Sequence, residues 1–262
     1  MEYDVIKLIE FLENWANPSF QEEWDNSGWQ ILFDEEKTAS IVVALDIDDR
    51  VIDFAIEKNS KLIITHHPMF FRGIKNINFS SYFGENILKL IENKISVYSS
   101  HTSLDIAING VNDCLAEFLE LDNCVGLSEM ENGCYIGKIG TNNKFNSLAE
   151  IKNKFEDELK IDNIKLYGKY PSKLDIIAIC GGSGSDFISD AVKHNANLYI
   201  TGDIKYHDGQ YAYENNIAVM DIGHYGSEKL IIEKLSYEYK NKFEIDVYSL
   251  TSSNFELELD RV

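Results

Sequence analysis

Val5, Ile6, Leu8, Ile9 and Leu12 recur at helical spacing, so the pattern predicts an amphipathic helix over residues 3–14. Pro18 then opens a loop, and Trp24-Asp25-Asn26-Ser27-Gly28 reads as turn chemistry. The β-branched apolar run from Ser40 to Ile47 is a buried strand, and Asp48 caps the helix that carries Val51, Ile52, Phe54, Ala55 and Ile56. Leu62-Ile63-Ile64 is a second strand. It stops at Thr65-His66-His67-Pro68, because proline cannot donate to a ladder. A loop to about Ser81 leads to a helix around 84–93, a third strand over 95–99 and a helix over 110–120.

After Asn123 the pattern weakens, then returns. Strands at 135–139 and 164–168 flank a helix over 147–159. Strands at 174–180, 198–200 and 217–222 then alternate with helices at 186–194, 206–215 and 228–240. Ala44 precedes Thr65 by 21 positions and Cys180 precedes Thr201 by 21, which suggests a degenerate internal repeat of strand–helix–strand–helix–strand. Alternation of this kind produces parallel sheets with right-handed crossovers. The expected fold is α/β: two similar three-layer lobes with mostly parallel sheets, residues 1–125 and 126–262, with a metal site between them.

Composition narrows the function. At 262 residues, 44% hydrophobic and 26% charged, the chain is an ordinary globular protein. A net charge of −20, with no basic patch, argues against direct nucleic-acid binding and leaves a metal ion as the obvious anchor for any anionic substrate. No apolar run approaches about 18 residues and the first residues lack a signal-peptide pattern, so a cytoplasmic protein with no membrane partner is expected. Cys114, Cys124, Cys134 and Cys180 form no C-x-x-C pair and read as free thiols.

The placement of the histidines carries the chemistry. His66, His67, His101 and His224 fall at the carboxyl ends of predicted strands, where open α/β sheets bind ligands. His66 and His67 are adjacent, and Pro68 lets both imidazoles turn to one side. Asp105 follows His101 by four positions and Glu228 follows His224 by four, a spacing that shares a helix face. Imidazole plus carboxylate without thiolate suits Zn²⁺, Fe²⁺ or Mn²⁺. His66, His67, Asp105, His224 and Glu228 are too many ligands for one open catalytic ion and fit two. Asp105 read alone is equally a helix cap. Gly181-Gly182-Ser183-Gly184-Ser185 reads as a tight turn capped by Ser183 or Ser185, with a phosphate cradle left open. Asp203, His207, Gly182 and Ser183 are cavity-lining candidates, and His194 ends a helix.

Six motifs in order are similar to a known family. They are Trp24-Asp25-Asn26-Ser27-Gly28, Ile64-Thr65-His66-His67-Pro68, Ser100-His101-Thr102-Ser103-Leu104-Asp105, Cys180-Gly181-Gly182-Ser183-Gly184, Thr201-Gly202-Asp203 through His207, and Gly223-His224-Tyr225-Gly226-Ser227-Glu228. The chain resembles the GTP cyclohydrolase I type 2 homologues, also named for the NGG-one-interacting factor. Trp29 is the visible departure, standing where an aliphatic residue is expected. The resemblance implies His66, His67, Asp105, His224 and Glu228 as ligands of two metal ions per chain. It also implies a toroidal homohexamer built as a trimer of dimers; the interval from Asn123 to Pro171 is too short for the extra domain that longer members insert between the motif-bearing halves, so none is expected. Three functions follow as expectations. The first is metal-dependent hydrolysis that opens the guanine ring of GTP, with His101 as proton shuttle. The second is a non-enzymatic metal-binding adaptor or regulatory protein. The third is phosphoester or nucleotide hydrolysis at two metals.

Overall fold

The computed structural model describes residues 1–130 and 133–251. The chain divides into two compact units, residues 1–107 with the chain from Ile231 onward, and residues 108–230. This differs from the division expected at 125/126. The strand Asp246–Leu250 pairs in parallel with Ser40–Ala44, so the C-terminal segment returns to the first unit.

In the first unit the parallel strands Ser40–Ala44, Leu62–Thr65 and Ser96–Ser99 lie side by side. Asp246–Leu250 flanks one edge, and Gly28–Ile31 runs antiparallel along the other, against Ser96–Ser99. Trp29 opposes Tyr98 in that pairing, ring centroids 5.1 Å apart and nearly perpendicular. Successive residues of a strand face opposite sides, and here both sides are buried: Val42, Ala44 and Ile63 on one, Ile41, Val43, Leu62 and Ile64 on the other. The helices Asp49–Glu57 and Tyr82–Glu92 pack Val51, Ile52, Ala55 and Leu90 against the first of these faces. Asp48 caps the earlier helix by accepting from the Val51 amide, as its sequence position predicts. The helices Val5–Trp15 and Leu230–Lys242 meet through Phe11 and Tyr239, and the Tyr239 hydroxyl donates to the Leu8 carbonyl.

In the second unit Ile176–Ile179, Leu198–Thr201 and Ala218–Asp221 form the parallel centre. Lys165–Gly168 runs antiparallel beside Ala218–Asp221, and the hairpin of Asp122–Glu129 and Tyr135–Thr141 extends the opposite edge. Helices Val111–Phe118 and Leu148–Leu159 bury Leu115, Leu119, Ile151 and Phe155 against Ile177, Ile179, Leu198, Ile200 and Met220. Ala178, Tyr199 and Val219 on the other face are equally buried. The expected repeat is present and longer than the sequence suggested. In both units an antiparallel strand precedes the three parallel ones in sequence and pairs with the third. None of the four cysteines forms a disulfide. Among the described residues no helix is long and apolar enough to cross a membrane.

Candidate metal centre

In the first unit the backbone keeps its ladder for two residues beyond Thr65. The His66 amide donates to Ala44 at 3.2 Å and the His67 amide to Leu45 at 2.9 Å. The hydroxyls of Thr65 and Ser99 reach the His67 carbonyl at 2.8 and 3.1 Å. Pro68 then ends the pairing, and the two imidazoles lie on one side, ring centroids 5.0 Å apart. His101 sits 5.1 Å from His66 and 5.5 Å from His67 by the same measure, and the three offer ligand nitrogens within 4.8 Å of one another. His101 caps the short helix Thr102–Ile106, and the Asp105 amide donates back to its carbonyl. That turn brings an Asp105 carboxylate oxygen to 3.5 Å from His66 Nε2. Asp105 therefore lies within the helix, and His101 takes the cap position.

In the second unit His224 opens the helix His224–Glu228. One turn later the Glu228 carboxylate, itself 3% exposed, lies 3.4 Å from His224 Nε2. Gly182 lies against this pair. Its φ is +68°, and a Cβ added there would fall 2.4 Å from Glu228 Oε1 and 3.4 Å from His224 Nε2. Its amide donates to Ser227 Oγ at 2.8 Å, and that hydroxyl donates to the His224 carbonyl at 2.8 Å. Glycine is needed here twice, for its backbone angle and for the space a side chain would take.

One pattern joins these histidines. Each Nδ1 meets an oxygen that can only accept. His66 Nδ1 lies 2.9 Å from the Ser100 carbonyl, and His67 Nδ1 lies 2.8 Å from Asp46. His101 Nδ1 lies 2.8 Å from Asp25, and His224 Nδ1 lies 2.8 Å from Asp203. Such bonds favour the proton on Nδ1 and fix the ring's orientation, which leaves Nε2 as the nitrogen able to accept a proton or cation. Burial alone would raise the Asp25 carboxyl. The hydrogen bond and charge of His101, with hydrogen bonds from Thr102 and Ser27, instead hold it well below the usual carboxylate range.

A family profile described as Duf34/NIF3 (NGG1p interacting factor 3) matches residues 3–254. The chain belongs to the Duf34/NIF3 family. A Clostridium acetobutylicum protein named GTP cyclohydrolase 1 type 2 homolog is 36% identical over 87% of this chain and 86% of its own length. The Clostridium perfringens protein of the same name is 34% identical, covering 94% of both. Among solved structures, a hypothetical protein of Staphylococcus aureus matches with a TM-score of 0.89 at 26% identity, over 97% of this chain and 99% of that one.

The donor set of this Duf34/NIF3 chain fits a divalent metal. Two ligands about 2.1 Å from one ion, at a roughly tetrahedral angle, lie about 3.4 Å apart. The His66–Asp105 and His224–Glu228 separations of 3.5 and 3.4 Å match that spacing. Two lone-pair atoms at this distance repel unless a cation or proton stands between them. These His and carboxylate groups could hold metal ions.

The structure brings His66, His67, His101 and Asp105 together in the first unit, and Gly182, Asp203, His224 and Glu228 in the second. His207 stays apart. It is exposed on the helix Tyr206–Glu214, its ring beside Tyr206. Ser183 is exposed in its turn, and neither it nor Ser185 caps a helix. The cap position is Gly184, whose amide donates to Thr201 Oγ1 and whose carbonyl accepts from Tyr199. Two residues escaped the sequence reading as partners: Asp25 and Asp46. Asp46 stands two positions past a buried strand, the same offset that flagged His67, and that was the available signal.

Proposed function

We propose that this chain is a dinuclear divalent-metal hydrolase of a small, nucleotide-type substrate, with His66, His67, Asp105, His224 and Glu228 as the metal ligands. The supporting observation is the uniform tethering of Nδ1 to oxygen, together with two Nε2 atoms facing carboxylates at ligand spacing. Two such ions, when bound, lower the pKa of water from 15.7 toward 7 and polarise the bond under attack. Asp46, Asp203 and the Ser100 carbonyl hold three of the ligands in orientation. Asp25 does the same for His101. With Nδ1 protonated, His101 Nε2 accepts a proton during attack and returns it to the leaving group, while the ionised Asp25 balances the imidazolium charge.

The name carried by the clostridial relatives makes hydrolytic opening of the guanine ring of GTP, with release of formate, the first reaction to test. The same reading takes the protein as a homohexamer. Ile74, Ile77, Phe79 and Tyr82, exposed near the first unit's third helix, supply apolar surface suited to self-association. Light scattering would report that mass. The deciding assay incubates the purified chain with GTP and Mn²⁺, Zn²⁺ or Fe²⁺ and analyses products by mass. Formate with a ring-opened nucleotide is expected. Orthophosphate without formate would move the activity to phosphoester hydrolysis. Neither product with any metal would overturn the hydrolase reading in favour of a metal-binding adaptor.

A further inference from the structure

We propose that Trp24 and Phe71 form a platform that binds a planar heteroaromatic ring, of the kind found in a nucleobase, beside His101. This deepens the proposed function and rests on its reading of His101 as a working group of the site.

Large aromatic side chains normally gain stability by leaving water. Trp24 and Phe71 do not: they are 58% and 51% exposed. Their ring centroids lie 5.8 Å apart with planes 36° from parallel. Each centroid is also 5.8 Å from the His101 imidazole, which both meet edge-on, at 76° and 68°.

The backbone beneath this exposed pair is held by polar side chains. Next to Trp24, the buried Asp25 carboxylate accepts from His101 Nδ1, from the Thr102 amide and hydroxyl, and from Ser27 Oγ. Asn26 Nδ2 donates to the Phe70 carbonyl at 2.6 Å, and the Phe70 amide donates to Gln30 Oε1 at 3.0 Å. Gln30 Nε2 in turn donates to the Asn26 carbonyl at 2.8 Å. These bonds tie the loop bearing Trp24 to the loop bearing Phe71. Two exposed aromatic faces thus stand on braced loops beside the His101 imidazole.

A pre-fixed aromatic surface binds flat rings well, because it gives up little freedom on stacking. A ring slipped between two others needs about 7 Å, twice the usual contact distance of about 3.5 Å. At 5.8 Å there is no such slot, so the ligand ring lies across the outward faces. This position carries the ring edge toward His101.

The test is saturation-transfer NMR with guanosine and adenosine as probes, on the full-length protein with and without chelator. Base protons should saturate more strongly than ribose protons in the wild type, with or without metal. Trp24→Leu and Phe71→Leu should each weaken binding about 5- to 100-fold. Trp24→Phe should retain most of it, and metal content and oligomeric mass should not change in any variant. Three results would overturn the platform: no saturation of either base in the wild type, unchanged binding in both leucine variants, or loss of binding with a changed oligomeric mass. The last would assign the pair to a contact between copies. Guanosine binding without formate release from GTP would sink the proposed reaction and keep the platform. GTP turnover untouched by both leucine variants would do the reverse.

Discussion

The two units carry the same four-strand core and furnish its strand ends differently. In each, three parallel strands are joined by an antiparallel strand against the third, and a histidine with an acid four positions later follows that third strand. The first unit adds two histidines after its second strand, His66 and His67, where the second unit has Gly202 and Asp203. Its His66 side chain is fully buried, and the Asp25 carboxylate that orients His101 is buried too. In the second unit the His224 side chain is 36% exposed and Asp203 is 51% exposed. There the room comes from Gly182. One backbone plan thus serves two purposes: a nitrogen-rich, internally braced cluster, and a more open His–Glu pair beside a glycine.

Substitutions at the open pair should have the largest effect. Gly182→Ala places a methyl against Glu228 and demands a backbone angle alanine avoids. Titration calorimetry with Mn²⁺ or Zn²⁺ should show affinity falling by about 100-fold or more. Unchanged affinity would mean that Glu228 is not a ligand. Next come the orienting carboxylates. Asp46→Ala and Asp203→Ala should each weaken metal binding about 10- to 100-fold, and more at Asp46 if internal bracing matters as the comparison holds. Asp203 also occupies a left-handed backbone conformation, φ +57°. Asp203→Gly should therefore melt higher than Asp203→Ala by the equivalent of about 1 kcal/mol, while both lose metal affinity alike.

A smaller effect is expected in the braced unit. Asp25→Asn should lower stability at neutral pH by about 2 kcal/mol, since it exchanges a charged acceptor for a neutral one. The native Asp25 pKa is depressed, so the ionised form is favoured by folding. Its stabilisation is complete above the unfolded carboxylate pKa of about 3.9 and is lost as pH falls toward the lower folded value. Denaturant melts from pH 7 to pH 2 should show wild type and variant converging only on the acid side. Convergence already at pH 6 would exclude this role.

Much of the candidate site was legible because its histidines follow apolar strands and its acids sit one helical turn from a histidine. His66, His67, Asp105, His224 and Glu228 carry that signal in their immediate neighbours. The orienting acids do not. Asp25 meets a histidine 76 positions away and Asp46 one 21 positions away, contacts that only the folded chain creates. The antiparallel strand Gly28–Ile31 escaped notice because it lies in a stretch rich in turn formers. The strand Asp246–Leu250 is half polar and follows a helix, so nothing local announces that it closes the first unit's sheet.

The measurement that bears most directly on the central claim is metal content per chain. It should be made on protein purified without chelator, on the wild type, His66→Ala and Glu228→Ala, with Asp25→Asn as a folded control. About two divalent ions are expected in the wild type and the control, falling in both ligand variants while their folds persist. A wild type that takes up no ion even after reconstitution, or ligand variants that keep the full content, would contradict it.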